Sequence, residues 1–202
     1  MVDFFVQGGG FMWPILIALL FGLAIIGERA YSLINSRSDT DQFFEEVKTI
    51  YSDSGKEQAI EFCENSPGPV ASIFYAGLSK MEKTKEEVEK AVENAGGLEM
   101  AFLEKNMIWI NSVITIAPML GFTGTVVGMI KAFEDIKMAN DISPAVVAGG
   151  ISQALLTTAF GLIVAMIMQV AQNFFVSMID KLILDMEEQS IKIVEYLHSS
   201  KK

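Results

Sequence analysis

Three stretches of this chain carry no charged residue and are long enough to cross a bilayer. "FMWPILIALLFGLAIIG" covers Phe11–Gly27, and "MIWINSVITIAPMLGFTGTVVGMI" covers Met107–Ile130. The third begins near Pro144 and stays uncharged until Asp180. A helical crossing needs about 20 apolar residues, with a range of roughly 17 to 25. The first run just reaches that range. The third exceeds it, so its helix is expected to leave the membrane near residue 168 while still apolar. The pattern predicts spans over 11–27, 107–130 and 144–168. No Lys or Arg precedes the first run and no small-residue cleavage pattern follows it, so it is not read as a cleaved signal peptide.

Between the runs the pattern becomes that of amphipathic helices. "DQFFEEVKTIYSDSGKEQAIEFCEN" is broken near Asp53–Gly55 and stops at "SPGP", Ser66–Pro69, a strong turn signal. "TKEE", Thr84–Glu87, is a capping box. After it Val88, Ala91, Val92, Ala95, Leu98 and Phe102 recur at helical spacing. No clear stop follows before Met107, so one continuous helix is expected from the cap into the second span. Gly96 and Gly97 either weaken that helix or let another approach closely. After the third span, Phe175, Met178, Leu182, Met186, Ile193 and Leu197 form an apolar stripe. Subunit contact and packing within the chain both account for it. The fold class is an all-α membrane protein whose second and third spans continue as long helices into a helical bundle.

Composition agrees with this division. Mean hydropathy is +0.38, and 51% of residues are hydrophobic against 20% charged. That is too apolar for an ordinary soluble domain and too charged for a chain wholly inside lipid. Lys and Arg are absent from residues 1–10, while Arg29 and Arg37 follow the first run, Lys90 and Lys105 precede the second, and Lys181 and Lys192 follow the third. Such residues favour the cytoplasmic side. Residues 1–10 and 131–143 are therefore expected outside, and 28–106 and 169–202 inside, although Lys131 and Lys137 pull the other way. The net charge of −10 argues against a nucleic-acid partner. The single cysteine, Cys63, excludes an internal disulfide and reads as a small buried residue.

No enzyme is expected. His198 is the lone histidine and lies near the end of the chain, the glycines match no phosphate-binding motif, and no metal or cofactor motif occurs. The expected membrane cores also lack Asp, Glu, His, Lys and Arg, so the chain cannot by itself take up and release a proton there. Their polar content is small and hydroxylated. Gly121, Gly124, Thr125 and Gly128 share one face of the second span, and Ala154, Thr157, Thr158, Gly161 and Ala165 share one face of the third. Gly121, Gly124, Gly128, Ala154, Gly161 and Ala165 are candidates for close helix packing. The hydroxyls either join that packing or line a wet or partner-filled cavity. Gln153 leans toward the cavity, because an amide facing lipid is costly.

"GFTGTVVGMIKAF" followed by "GISQALLTTAFGLIVA" resembles the paired signature of the ExbB/TolQ/MotA proton-channel family. By motif the resemblance covers roughly residues 70–180, and the three-span layout is most like the ExbB/TolQ branch. It implies a bacterial inner-membrane protein with a periplasmic N-terminus and a cytoplasmic C-terminus. It implies a homopentameric ring around two copies of an ExbD/TolR-like single-span partner, whose aspartate titrates inside the ring. It implies work passed to a TonB-like protein for outer-membrane transport, or to an envelope-maintenance or motility system. By the same motif, Thr125 and Thr158 match the family's pore-facing threonines. Where many relatives carry a glutamate in "EAL", this chain has Gln153, which cannot titrate and keeps Na⁺ coupling open beside H⁺. A membrane scaffold without ion flux is the alternative of a different class.

Overall fold

A computed structural model describes residues 2–36, 39–139 and 144–199. Every regular element among them is a helix: α1 (Val2–Gln7), α2 (Met12–Asn35), α3 (Thr40–Ser54), α4 (Lys56–Asn65), α5 (Pro69–Ser79), α6 (Lys85–Leu103), α7 (Met107–Ala139) and α8 (Pro144–Ser199). Three helical stretches are long and apolar enough to cross a membrane. The chain divides into two compact units, Met1–Glu28 with Asn106–Phe174, and Arg29–Lys105 with Phe175–Lys202. Both α2 and α8 contribute residues to both units.

The second unit is built as its turn signals require. Asp39 caps α3 by accepting from the Gln42 amide at 3.1 Å. Gly55 separates α3 from α4 at φ 89, and Gly68 precedes α5 at φ 106, a left-handed conformation that glycine adopts at least cost. At α6 the Thr84 hydroxyl accepts from the Glu87 amide at 3.3 Å while the Thr84 amide donates to the Glu87 carboxylate at 3.1 Å. That backbone donor holds the Glu87 carboxyl below the usual carboxylate range. Asp41 is likewise held low, by hydrogen bonds from Lys192 at 2.6 Å and Gln189 at 2.9 Å.

The core of this unit gathers around Phe74, which touches the rings of both Phe43 and Phe44. Phe175, Met178, Leu182, Met186, Ile193 and Leu197 are all buried within the chain. The apolar stripe of α8 is therefore an internal packing face here, and the subunit-contact alternative is not needed to explain it. Close approach occurs at Gly77, where a Cβ would sit 3.2 Å from Val92 and 3.4 Å from Leu197. It does not occur at Gly97, beside which a Cβ would meet nothing within 4 Å.

Cys63 is 2% exposed, and burial pushes its thiol up to about 12. Only the thiolate is a good nucleophile. At pH 8 the folded protein should therefore show negligible reaction with Ellman's reagent over the time in which the denatured chain reacts fully. Fast labelling of folded protein would show that this core opens.

Two boundaries differ from those expected. The single helix from Thr84 into the second span is broken into α6 and α7 by a turn in which Asn106 takes φ 65. Asparagine tolerates this left-handed conformation better than most residues. The loop expected over 131–143 is helical as far as Ala139. "KAFEDIKMA" holds no glycine or proline and is rich in strong helix formers, so nothing local stops α7 earlier. Residues 140–143 lie outside the described residues.

Candidate functional site

In the first unit, α7 and α8 meet through small residues. A Cβ at Gly121 would lie 2.9 Å from the Thr157 carbonyl oxygen and 3.0 Å from the Thr158 Cα. One at Gly124 would lie 2.7 Å from the Thr157 hydroxyl, and one at Gly128 3.3 Å from the Ala154 Cβ. Gly161 reciprocates from α8, where a Cβ would lie 2.5 Å from the Ala117 carbonyl oxygen. Ala154 and Ala165 are buried along the same helix. Away from this contact the first unit turns large apolar groups outward, among them Ile17, Phe122, Leu155 and Val170, a surface suited to lipid rather than water.

Close approach brings three threonines onto two backbone carbonyls. Thr157 is buried and donates to Ala154 at 2.8 Å and to Gly121 at 3.3 Å. Thr125 donates to Ala154 at 3.1 Å and Gly121 at 3.2 Å, and Thr158 donates to Gly121 at 3.2 Å. Thr125 and Thr158 also hydrogen-bond each other through their hydroxyls. A hydroxyl carries one proton and two lone pairs, so these donors can exchange partners without leaving an oxygen unsatisfied. Thr125 and Thr158 are half-buried, whereas Thr157 is sealed inside. The outer pair can thus offer a hydrogen-bond donor to a carboxylate or an acceptor to a carboxylic acid brought alongside. Other hydroxyls satisfy themselves locally: Ser112, Thr115 and Thr123 each donate to the carbonyl four residues back, at 2.8, 3.0 and 2.8 Å.

Gln153 does not join the pair. Its amide nitrogen lies against Gly9, in the turn between α1 and α2 where φ is 73. Residues 153 and 158 are five positions apart on one helix, which separates them by about 140° around its axis. Gly9 is thus a contact surface for that amide. The sequence signal that could have found it is the glycine itself: a left-handed turn without Cβ is where a side chain can approach backbone. Thr157, about 100° round the helix from Thr158, shares its Gly121 carbonyl.

The MotA/TolQ/ExbB proton channel family matches residues 65–188, more than half of the chain and both faces of this contact. The chain belongs to that family. That family is one of proton channels. An ExbB-like biopolymer transport protein of Synechocystis sp. is 28% identical over 188 residues, covering 92% of this chain and 90% of the relative. An ExbB homolog of Methanothermobacter thermautotrophicus is 29% identical over 180 residues, covering 89% of this chain and 64% of that longer relative. The Tol-Pal system protein TolQ of Pseudomonas aeruginosa is 29% identical over 125 residues, covering 55% of this chain and 54% of its own length. With three helices fit to span a bilayer, this is a membrane protein of the ExbB/TolQ kind.

Proposed function

We propose that this chain is an ExbB-like subunit of an ion-driven inner-membrane motor, and that Thr125 and Thr158 line its ion path. It forms a homo-oligomeric ring, pentameric by family resemblance, around an ExbD/TolR-like single-span partner. The motor energises TonB-dependent transport, with the N-terminus periplasmic and the C-terminus cytoplasmic. One observation carries the assignment: a half-buried hydroxyl pair, bonded to itself and to backbone carbonyls, lies in helices whose apolar runs hold no titratable group. A path that moves protons then needs a carboxylate from another polypeptide, and the pair is suited to hold such a group in either protonation state. Gln153, turned toward Gly9, serves that path only indirectly by fixing the start of α2. A TolQ-like role in envelope maintenance has the narrower support of a match over 55% of the chain, against 92% for the ExbB-like relative.

The test is co-purification with a single-span partner carrying an intramembrane aspartate, followed by ion flux in vesicles. Thr158→Val keeps the shape and removes one donor. With one hydrogen bond to a charged group worth about 1.5 kcal/mol, flux should fall about tenfold. The thermal midpoint of the complex should change little. Separate H⁺ and Na⁺ gradients identify the ion. Flux no greater than in empty vesicles would leave a scaffold without conduction, and flux in the variant equal to that of wild type would remove Thr158 from the path.

A further inference from the structure

We propose that an open groove in the second unit docks a basic amphipathic helix of a partner protein. The groove encloses about 740 Å³ between α6 and the last part of α8. Its floor is apolar, formed by Ile73, Val92, Met186 and Val194, all buried beneath it. Carboxylates stand along it: Glu89 and Glu93 on α6, and Glu187 and Glu195 on α8. Lys85 is the one cation lining it among the described residues, and it pairs with Glu89 at 3.5 Å. Among the described residues no ion pair joins Glu93, Glu187 or Glu195 to a cation, so the groove presents net negative charge above an apolar floor.

Gly96 and Gly97 give a second reason to expect an occupant. Both lie inside α6, where each glycine costs about 1 kcal/mol relative to alanine. Internal packing does not require them, since a Cβ at Gly96 would reach only Ile73, at 4.0 Å, and one at Gly97 nothing within 4 Å. Both line the groove, and their missing side chains widen it.

Charge selects the occupant. Residues 28–106 hold 16 acidic and 9 basic residues, so a second copy of this unit would bring like charge toward like. A helix with lysine or arginine on its flanks and leucine-like residues between them satisfies both the rim and the floor. Residues 183–195 of α8 line the groove over about 18 Å, so three to four turns of such a helix would fill it.

The experiment uses the full-length protein in nanodiscs of zwitterionic lipid, with empty discs as baseline. The probe is a fluorescein-labelled helical peptide of about 16 residues, with lysines flanking a leucine stripe. Its control is the same composition scrambled to abolish the stripe. Fluorescence anisotropy should show saturable binding of the first peptide and at least tenfold weaker binding of the second. The combined Glu93→Gln, Glu187→Gln and Glu195→Gln variant, which leaves the floor intact, should weaken binding about tenfold. Gly97→Phe should fill the groove and abolish binding while leaving the oligomeric mass unchanged. Equal binding of both peptides, or binding indifferent to both variants, would overturn the assignment. So would a Gly97→Phe variant whose oligomeric state changes, because a second copy would then be the occupant. Ion flux is measured separately by the Thr158 experiment, so failure of one assignment is distinguishable from failure of the other.

Discussion

Gly161→Leu is expected to lower the stability of the purified protein by about 3 kcal/mol or more and to abolish ion flux with it. A Cβ on Gly161 would fall 2.5 Å from the Ala117 carbonyl oxygen, 3.2 Å from its carbon and 3.3 Å from the Gly121 Cα. These are backbone atoms and cannot rotate aside. α7 and α8 must therefore separate to admit the side chain, at a typical overpacking cost of about 1–3 kcal/mol. Separation also stretches the hydrogen bonds by which Thr125, Thr157 and Thr158 reach across, each worth about 1 kcal/mol. Gly149 supplies the control, because a Cβ there meets nothing within 4 Å on the same helix. Gly149→Ala should be neutral or gain up to about 1 kcal/mol from helix propensity, whereas Gly161→Ala should lose stability. Thermal unfolding of the two alanine variants in one detergent decides the matter. Shifts of the same sign and size would mean that the α7–α8 contact is looser than it stands here.

This contact also shows what the sequence could convey. The three- and four-residue recurrence of Gly121, Thr125 and of Ala154, Thr158, Gly161 within apolar runs is a local pattern, and close packing is its direct physical consequence. It left open whether the hydroxyls serve packing or a cavity. The geometry seals Thr157 into the contact and leaves Thr125 and Thr158 half exposed, which is where the proposed ion path would meet them. Turns were legible for the same local reason. Gly55, "SPGP" and the Thr84–Glu87 box act through their own backbone or the next few residues. What could not be read depends on distant partners. The contact of Gln153 with Gly9 spans most of the chain, and the left-handed turn at Asn106 lacks the glycine that would have announced it. Gly96 and Gly97 read as a weak point or a place of close approach, and only the fold shows that, among the described residues, a Cβ at Gly96 would meet just Ile73, at 4.0 Å, and one at Gly97 nothing within 4 Å.

Arg29 is the clearest case of such distant dependence, and its replacement carries the second large effect. In sequence it is one basic residue after an apolar run, which votes only on orientation. In the structure it is 1% exposed, and its Nη2 donates to the carbonyl of Leu103, the last residue of α6. The end of a helix leaves carbonyls without the amide that would follow and carries partial negative charge. A guanidinium answers both needs, with several donors on one planar fork. Arg29→Ala should therefore lower stability by about 3 kcal/mol, through an unsatisfied buried carbonyl and a cavity where the stem lay. Arg29→Met separates the two contributions, since it restores apolar volume, sheds a charge that is expensive to bury, and still lacks the donor. Its unfolding midpoint should fall between those of wild type and the alanine variant. Arg29→Lys retains charge but not the fork, and should recover only part of the loss. An alanine variant as stable as wild type would mean that the Leu103 carbonyl finds another donor and that Arg29 contributes little at this junction of α2 and α6.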